Sequence, residues 1–124
     1  MSRLENKVAL VTGACRGIGR ATAQALAAAG TRILIHYGRS ASEADNTVAE
    51  IRTAGGRADA MQADLSTAGG AANLSALVRA VVGERLSVFV SNAGISKAAT
   101  IKDHTVADFD NLFATNVRGG FFLV

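Results

Sequence analysis

The residues with the most chemical content lie near the start of the chain. Thr12-Gly13-Ala14-Cys15-Arg16-Gly17-Ile18-Gly19 places three glycines between an apolar run, Val8-Ala9-Leu10-Val11, and an alanine-rich stretch. A glycine where a strand ends permits a tight turn. A glycine where a helix starts lets the backbone approach a pyrophosphate, whose charge is met by free N–H groups and the helix dipole. A third, Gly19, lets that helix pack closely on the sheet. A glycine-rich string alone is as often a mere turn, but a strand before it and a helix after it mark a site for a dinucleotide or similar anion. The spacing is Gly-x-x-x-Gly-x-Gly, and no Gly-Lys-Ser/Thr follows, which argues against a nucleoside triphosphatase.

The elements that position this loop can be read from the pattern of apolar residues. Val8–Val11 reads as a buried strand ended by Thr12-Gly13. From residue 17 to 30, Ile18, Ala21, Ala25, Leu26 and Ala29 recur at helical spacing, and Gly30 stops the helix. Residues 31–37 form a second strand, and Ala44, Val48 and Ile51 share one face of a second helix that Gly55-Gly56 stops. Residues 57–63 are a third strand, and Leu74, Leu77, Val78 and Val81 give a third, amphipathic helix ending near Gly83. Residues 86–90 are a fourth strand, and Thr105-Val106-Ala107-Asp108 is spaced as a capping box that opens a fourth helix. Four strand–helix repeats with right-handed crossovers predict an α/β domain over residues 1–124, a parallel sheet with helices on both faces in three α/β/α layers. Ligands then lie beyond the carboxyl ends of the strands, so the loops after the first, second and fourth strands are where chemistry is expected.

Composition removes several function classes. With 49% apolar and 19% charged residues the chain is globular. Its one cysteine, Cys15, allows no internal disulfide and no metal-ligand cluster. No apolar run approaches the ~18 residues of a membrane span. The polar residues 1–7 meet the first strand directly, so no signal peptide is expected and a cytoplasmic setting is. The net charge of +3 is spread along the chain, and one tyrosine with no tryptophan offers no platform for stacking bases, which speaks against nucleic-acid binding.

Among the other polar residues, Asn116 is the most informative. Following Phe109, Leu112 and Phe113 at helical spacing, it is expected inside an apolar stripe, where a buried amide must be hydrogen-bonded. A structural bond to neighbouring backbone would suffice. Asp64, ahead of Ser66-Thr67, has the form of a strand-end turn cap. Cys15 is expected to be an inert small residue, since no base stands near it in sequence. His36 and His104 are expected to pack or to face solvent, and Asp103, Asp108 and Asp110 to be helix-start charges.

The glycine loop Thr12-Gly13-x-x-x-Gly17-Ile18-Gly19, taken with Asn92-Ala93-Gly94 after the fourth strand, resembles the short-chain dehydrogenase/reductase family from about Lys7 onward. It looks closest to the branch holding 3-oxoacyl-acyl-carrier-protein reductases and related carbonyl reductases. The resemblance implies a Rossmann-type doubly wound sheet, of which four βα units are present. It implies an oxidoreductase that passes hydride between a nicotinamide and a small-molecule carbonyl/alcohol pair, and a homodimer or homotetramer. By the same resemblance Gly13, Cys15, Arg16, Gly17, Ile18 and Gly19 hold the cofactor, Asp64 and Leu65 contact its adenine edge, Asn92 braces the central strands, and Ala93 and Gly94 line a ribose. Asn116, in Asn-Val-x-Gly, corresponds to the family's active-site asparagine, which holds a water in a proton relay. Ser91 stands where the family usually has asparagine.

Sites selective for NAD(H) carry an acid ~20 residues past the glycine loop, bonded to the ribose 2′-hydroxyl. Here the stretch is Tyr37-Gly38-Arg39-Ser40, with no carboxylate. A guanidinium binds a 2′-phosphate bidentately, so Arg39, with Arg16 from the loop and the hydroxyls of Ser40 and Ser42, favours NADP(H) over NAD(H). Both arginines as solvated charges is the alternative. The missing acid also argues against a methyltransferase using S-adenosylmethionine. The family's serine and Tyr-x-x-x-Lys are absent, since the one tyrosine, Tyr37, is followed four places on by Ala41. The apolar ending, Gly119-Gly120-Phe121-Phe122-Leu123-Val124, suggests the front part of a longer enzyme, in which case this portion alone binds cofactor without turnover. A non-catalytic dinucleotide-binding module is the alternative.

Overall fold

The apolar runs become four parallel strands, β1 (Val8–Val11), β2 (Arg32–Tyr37), β3 (Arg57–Gln62) and β4 (Val88–Val90), in a computed structural model that describes residues 3–123. They lie in the order β3-β2-β1-β4. Helices α1 (Gly17–Ala28), α2 (Ala41–Thr53) and α3 (Gly70–Val82) make the crossovers. Side chains alternate across a strand, so β1 and β2 serve two cores at once. Ala9, Val11, Ile33 and Ile35 pack with Ala23 of α1 and Ala44, Val48 and Ile51 of α2. Leu10 and Leu34 point the other way, onto Leu74 and Val78 of α3. The three-layer doubly wound architecture follows, with β1 and β2 as its central strands.

Two helical faces differ from the expected stripes. On α1 the buried residues are Gly19 and Ala23, with Leu26 and Ala27 packed behind them, whereas Ile18 is 79% exposed. A helix made largely of alanine offers several near-equivalent apolar faces. The sheet selects the one where Gly19 lets it approach. On α3 the buried line is Ala71, Leu74 and Val78, while Leu77 and Val81 face outward.

The last helical segment is not one continuous α-helix. The capping box forms as expected: Thr105 Oγ1 accepts from the Asp108 N–H, and Asp108 Oδ2 accepts from the Thr105 N–H. It opens α4 (Val106–Phe113), which passes through one π turn (Ala114–Arg118) into α5 (Gly119–Leu123). Val106, Phe109 and Phe113 of α4 are exposed, with Phe109 and Phe113 stacked on each other at 4.4 Å. No helix among the described residues is long and apolar enough to cross a membrane.

Candidate functional site

Strand order reverses between β1 and β4, and there the glycine loop meets the loop that follows β4. Gly13 adopts φ +61°, and a Cβ on it would come 2.9 Å from Ala93 Cα, so the two loops are in backbone contact. Thr12 is buried, and its hydroxyl oxygen accepts from the N–H groups of Asn92 and Ala93, both at 2.9 Å. Asn92 Nδ2 in turn donates to the carbonyls of Thr12 and Gly13, both at 3.1 Å. Two motifs some eighty residues apart are thus a single hydrogen-bonded wall. Thr12→Val keeps the shape and removes the acceptor, stranding two part-buried N–H groups, and is expected to cost about 2 kcal/mol in urea unfolding. An unchanged midpoint would show that water satisfies them.

This wall closes one side of a cleft of about 540 Å³, within the range of small-molecule sites. Gly13, Cys15 and Arg16 line it from the glycine loop, Tyr37, Arg39 and Ser40 from the end of β2, Asp64 and Leu65 from the end of β3, and Asn92, Ala93 and Gly94 from the β4 loop. Gly17, Ile18, Gly19 and Asn116 are not among its walls. Gly19 acts from behind, since it is buried against Gly13 and Ala14. Gly17 has φ +59°, and no atom lies within 4 Å of where its Cβ would be. Cys15 is buried, and its carbonyl accepts from Thr47 Oγ1.

Asn116 corrects the expectation of a buried amide. It is exposed and lies in the π turn, yet its amide is fully engaged: Oδ1 accepts from the Ile95 N–H at 2.7 Å and Nδ2 donates to the Ile95 carbonyl at 2.8 Å. The stripe it follows is itself exposed, with Phe109 and Phe113 both on the surface, so Asn116 is exposed too and finds its partners on the β4 loop. Asn111 and Thr115, four apart on the same helical segment, line the cleft and were missed by sequence reasoning. A polar pair at that spacing was the available signal.

Charged side chains at the rim and beyond it are held by specific partners. Asp64 Oδ1 accepts from the Ser66 hydroxyl and N–H, and these bonds hold its carboxyl below the ordinary value, as a turn cap would. Arg16 Nε lies 3.9 Å from Glu43 Oε2, and Arg39, at the same rim, acts electrostatically on Asp64. At the far end of the β4 loop, a hydrogen bond from Lys97 and another from Thr105 lower Asp108 to about 2.

His36 is buried at 3% exposure and bonded at both ring nitrogens. Nδ1 accepts from the Gly13 N–H at 3.0 Å, and Nε2 lies 2.9 Å from the Ala63 carbonyl, to which it must donate. Burial lowers its pKa, the bond to Ala63 only partly opposing this. Unfolded imidazole takes up a proton near pH ~6.5, whereas the folded ring resists it. The stability it contributes is therefore full above that value and is lost as pH falls from there through the lowered folded pKa. A denaturant midpoint that drops on acidification below that pH, and drops less in His36→Asn, is expected.

Comparison with known proteins agrees with this geometry. The model of the family described as short chain dehydrogenase matches residues 7–124. The short chain dehydrogenase/reductase nsrJ of Aspergillus novofumigatus is 41% identical over 121 residues, 98% of this chain and 46% of that protein. A short chain dehydrogenase from Burkholderia cenocepacia in complex with NADP superposes with a TM-score of 0.91 at 41% identity, covering 98% of this chain and 49% of that one. The angucycline C-6 ketoreductase LanV with bound NADP superposes with a TM-score of 0.92 at 35% identity, again over 98% and 49%. The chain spans about half the length of the curated relatives it matches.

Proposed function

Because the chain belongs to the short-chain dehydrogenase family, we propose that it is the cofactor-binding half of an NADP(H)-dependent oxidoreductase that interconverts a carbonyl and an alcohol. The observation that carries this reading is the cleft itself: a glycine loop bonded to Asn92-Ala93 on one side, and Arg16 and Arg39 at the rim beside the end of β2. The donor set fits a dinucleotide phosphate. Cys15 and Arg16 line the cleft immediately ahead of α1, and backbone N–H groups at that turn suit the pyrophosphate, while the two guanidinium groups with Ser40 suit a 2′-phosphate. Glu43, next to Arg16, competes with a phosphate for that guanidinium. Asp64 and Leu65 are assigned to the adenine edge, Tyr37 to the adenosine end, and Ala93 and Gly94 to a ribose. The glycine-loop residues Gly13, Cys15, Gly17, Ile18 and Gly19 shape the phosphate subsite.

The bound nicotinamide supplies a hydride at its C4. Asn116 is assigned to the catalytic site, where it fixes the Ile95 backbone beside the substrate and orders a water for proton transfer. The acid–base tyrosine, its lysine and the serine that polarises the carbonyl are not in this sequence, so these 124 residues are taken to bind cofactor without turning over. We assign the whole sequence to one dinucleotide-binding domain, working in the cytoplasm without nucleic acid or membrane. The exposed Phe109, Phe113 and Phe121 support assembly as a homo-oligomer. Fluorescence titration with NADPH and NADH tests the reading. Tighter NADPH binding is expected; equal affinities overturn the preference, and no binding of either overturns the site.

A further inference from the structure

We propose that His36 is a positioning residue for the dinucleotide: its neutral imidazole ties the glycine loop to the end of β3, and the cofactor binds in full only while that tie is closed. The proposal rests on the dinucleotide reading above.

His36 bridges three strand ends. Its side chain crosses from β2 to two other strand ends at once, reaching Gly13 after β1 and Ala63 after β3. The backbone repeats both links, since the His36 carbonyl accepts from the Ala14 N–H at 3.0 Å and the Tyr37 carbonyl accepts from the Ala63 N–H at 3.1 Å. The ring thus fixes the spacing between the loop assigned to the pyrophosphate and the turn assigned to the adenine. Both nitrogens are used by the protein, which leaves none for a ligand.

Only one tautomer fits. Nδ1 must be bare to accept from Gly13, and Nε2 must carry the hydrogen that goes to Ala63. A proton on Nδ1 would set a donor against the Gly13 donor. Gly13 could answer only by turning its amide away, which would disturb the bonds its neighbours hold, the Gly13 carbonyl to Asn92 Nδ2 and the Ala14 N–H to the His36 carbonyl. The ionisable groups around the same cleft are Cys15 and Arg16 from the glycine loop, Tyr37 and Arg39 from the end of β2, and Asp64 from the end of β3. Asp64, the only acid among them, is committed to Ser66. None of these donates to or accepts from the ring, so His36 has no acidic partner to offset its proton.

The test is dinucleotide affinity against pH, from 8 to 5, for wild type, His36→Asn and His36→Leu. NADH is the main probe, because it lacks the 2′-phosphate, whose own titration near pH ~6 would overlay the result. Asparagine keeps an acceptor within reach of Gly13 and cannot titrate. Wild type is expected to weaken on acidification, by up to about tenfold per pH unit for a single proton. His36→Asn is expected to run flat by comparison, and His36→Leu, which removes both side-chain bonds, to bind at least about tenfold more weakly throughout, the worth of the lost acceptor for the Gly13 N–H alone. Superimposable profiles for wild type and His36→Asn overturn the proposal while leaving the cofactor site intact. Failure of wild type to bind either dinucleotide at pH 8 overturns the cofactor reading and the proposal with it. Nitrogen NMR of the wild-type ring gives a readout that needs no variant: the Nε2–H tautomer is expected, and Nδ1–H would overturn the assignment.

Discussion

Gly19→Ala is expected to lose roughly 3 kcal/mol of stability, to melt at least ~10 °C below wild type and to lose dinucleotide binding. The added Cβ would land on the carbonyl oxygen of Gly13, 2.5 Å from Asn92 Nδ2 and 3.0 Å from Ala14 Cα. Two of these three atoms are backbone and cannot rotate away. Either α1 lifts off the sheet or the Asn92–Gly13 hydrogen bond breaks, and that bond is part of the wall between β1 and β4. Gly69→Ala is the matched control, since it lies at φ −91° with nothing within 4 Å of the added atom. Thermal melts of the two variants check the comparison. A Gly19→Ala protein melting within a degree or two of the Gly69→Ala protein would mean that α1 shifts freely, and that its packing does not set the loop.

Arg39→Ala is expected to weaken NADPH binding about ten- to a hundredfold while leaving NADH nearly unchanged, the worth of a charge-assisted bidentate contact to phosphate. Arg39 stands at the cleft rim, where the second strand ends, in the place an acid would occupy in an NAD(H)-selective site. Arg16 is the weaker candidate, because Glu43 competes for it at 3.9 Å. Isothermal titration of both cofactors on wild type and variant measures the selectivity ratio directly. An equal loss for both cofactors would assign Arg39 to general attraction of anions and not to the 2′-phosphate.

The parts of the molecule that were legible from sequence are those governed by local rules. The strand–loop–helix around Gly13 was readable because apolar periodicity and turn chemistry agree there, and the Thr105–Asp108 cap because its bonds span three residues. The face of α1 was not, since in an alanine-rich helix the choice of stripe is made by the sheet through Gly19. Asn116 was picked out correctly as a polar residue needing partners, but its surroundings were misjudged. The apolar face it shares with Phe109 and Phe113 is exposed in this structure, and an apolar stripe does not by itself say whether it will be covered. His36 was taken for packing or surface because its partners, Gly13 and Ala63, are 23 and 27 residues away and are backbone groups.

The order of the strands also sets the order in which the cleft can come apart. Val8 pairs with Arg32, 24 residues on, while Ala9 pairs with Val88, 79 residues on. Closing the longer loop costs about 1 kcal/mol more chain entropy, and β4 repays it with only three paired residues. The Asn92 side of the cleft is therefore expected to dock late during folding and to open early in the native state. A ligand seated across both sides would slow that opening. The amide protons of Asn92 and Ala93, held by Thr12, would then exchange with solvent ahead of those in the β1–β2 ladder, and binding would delay them most.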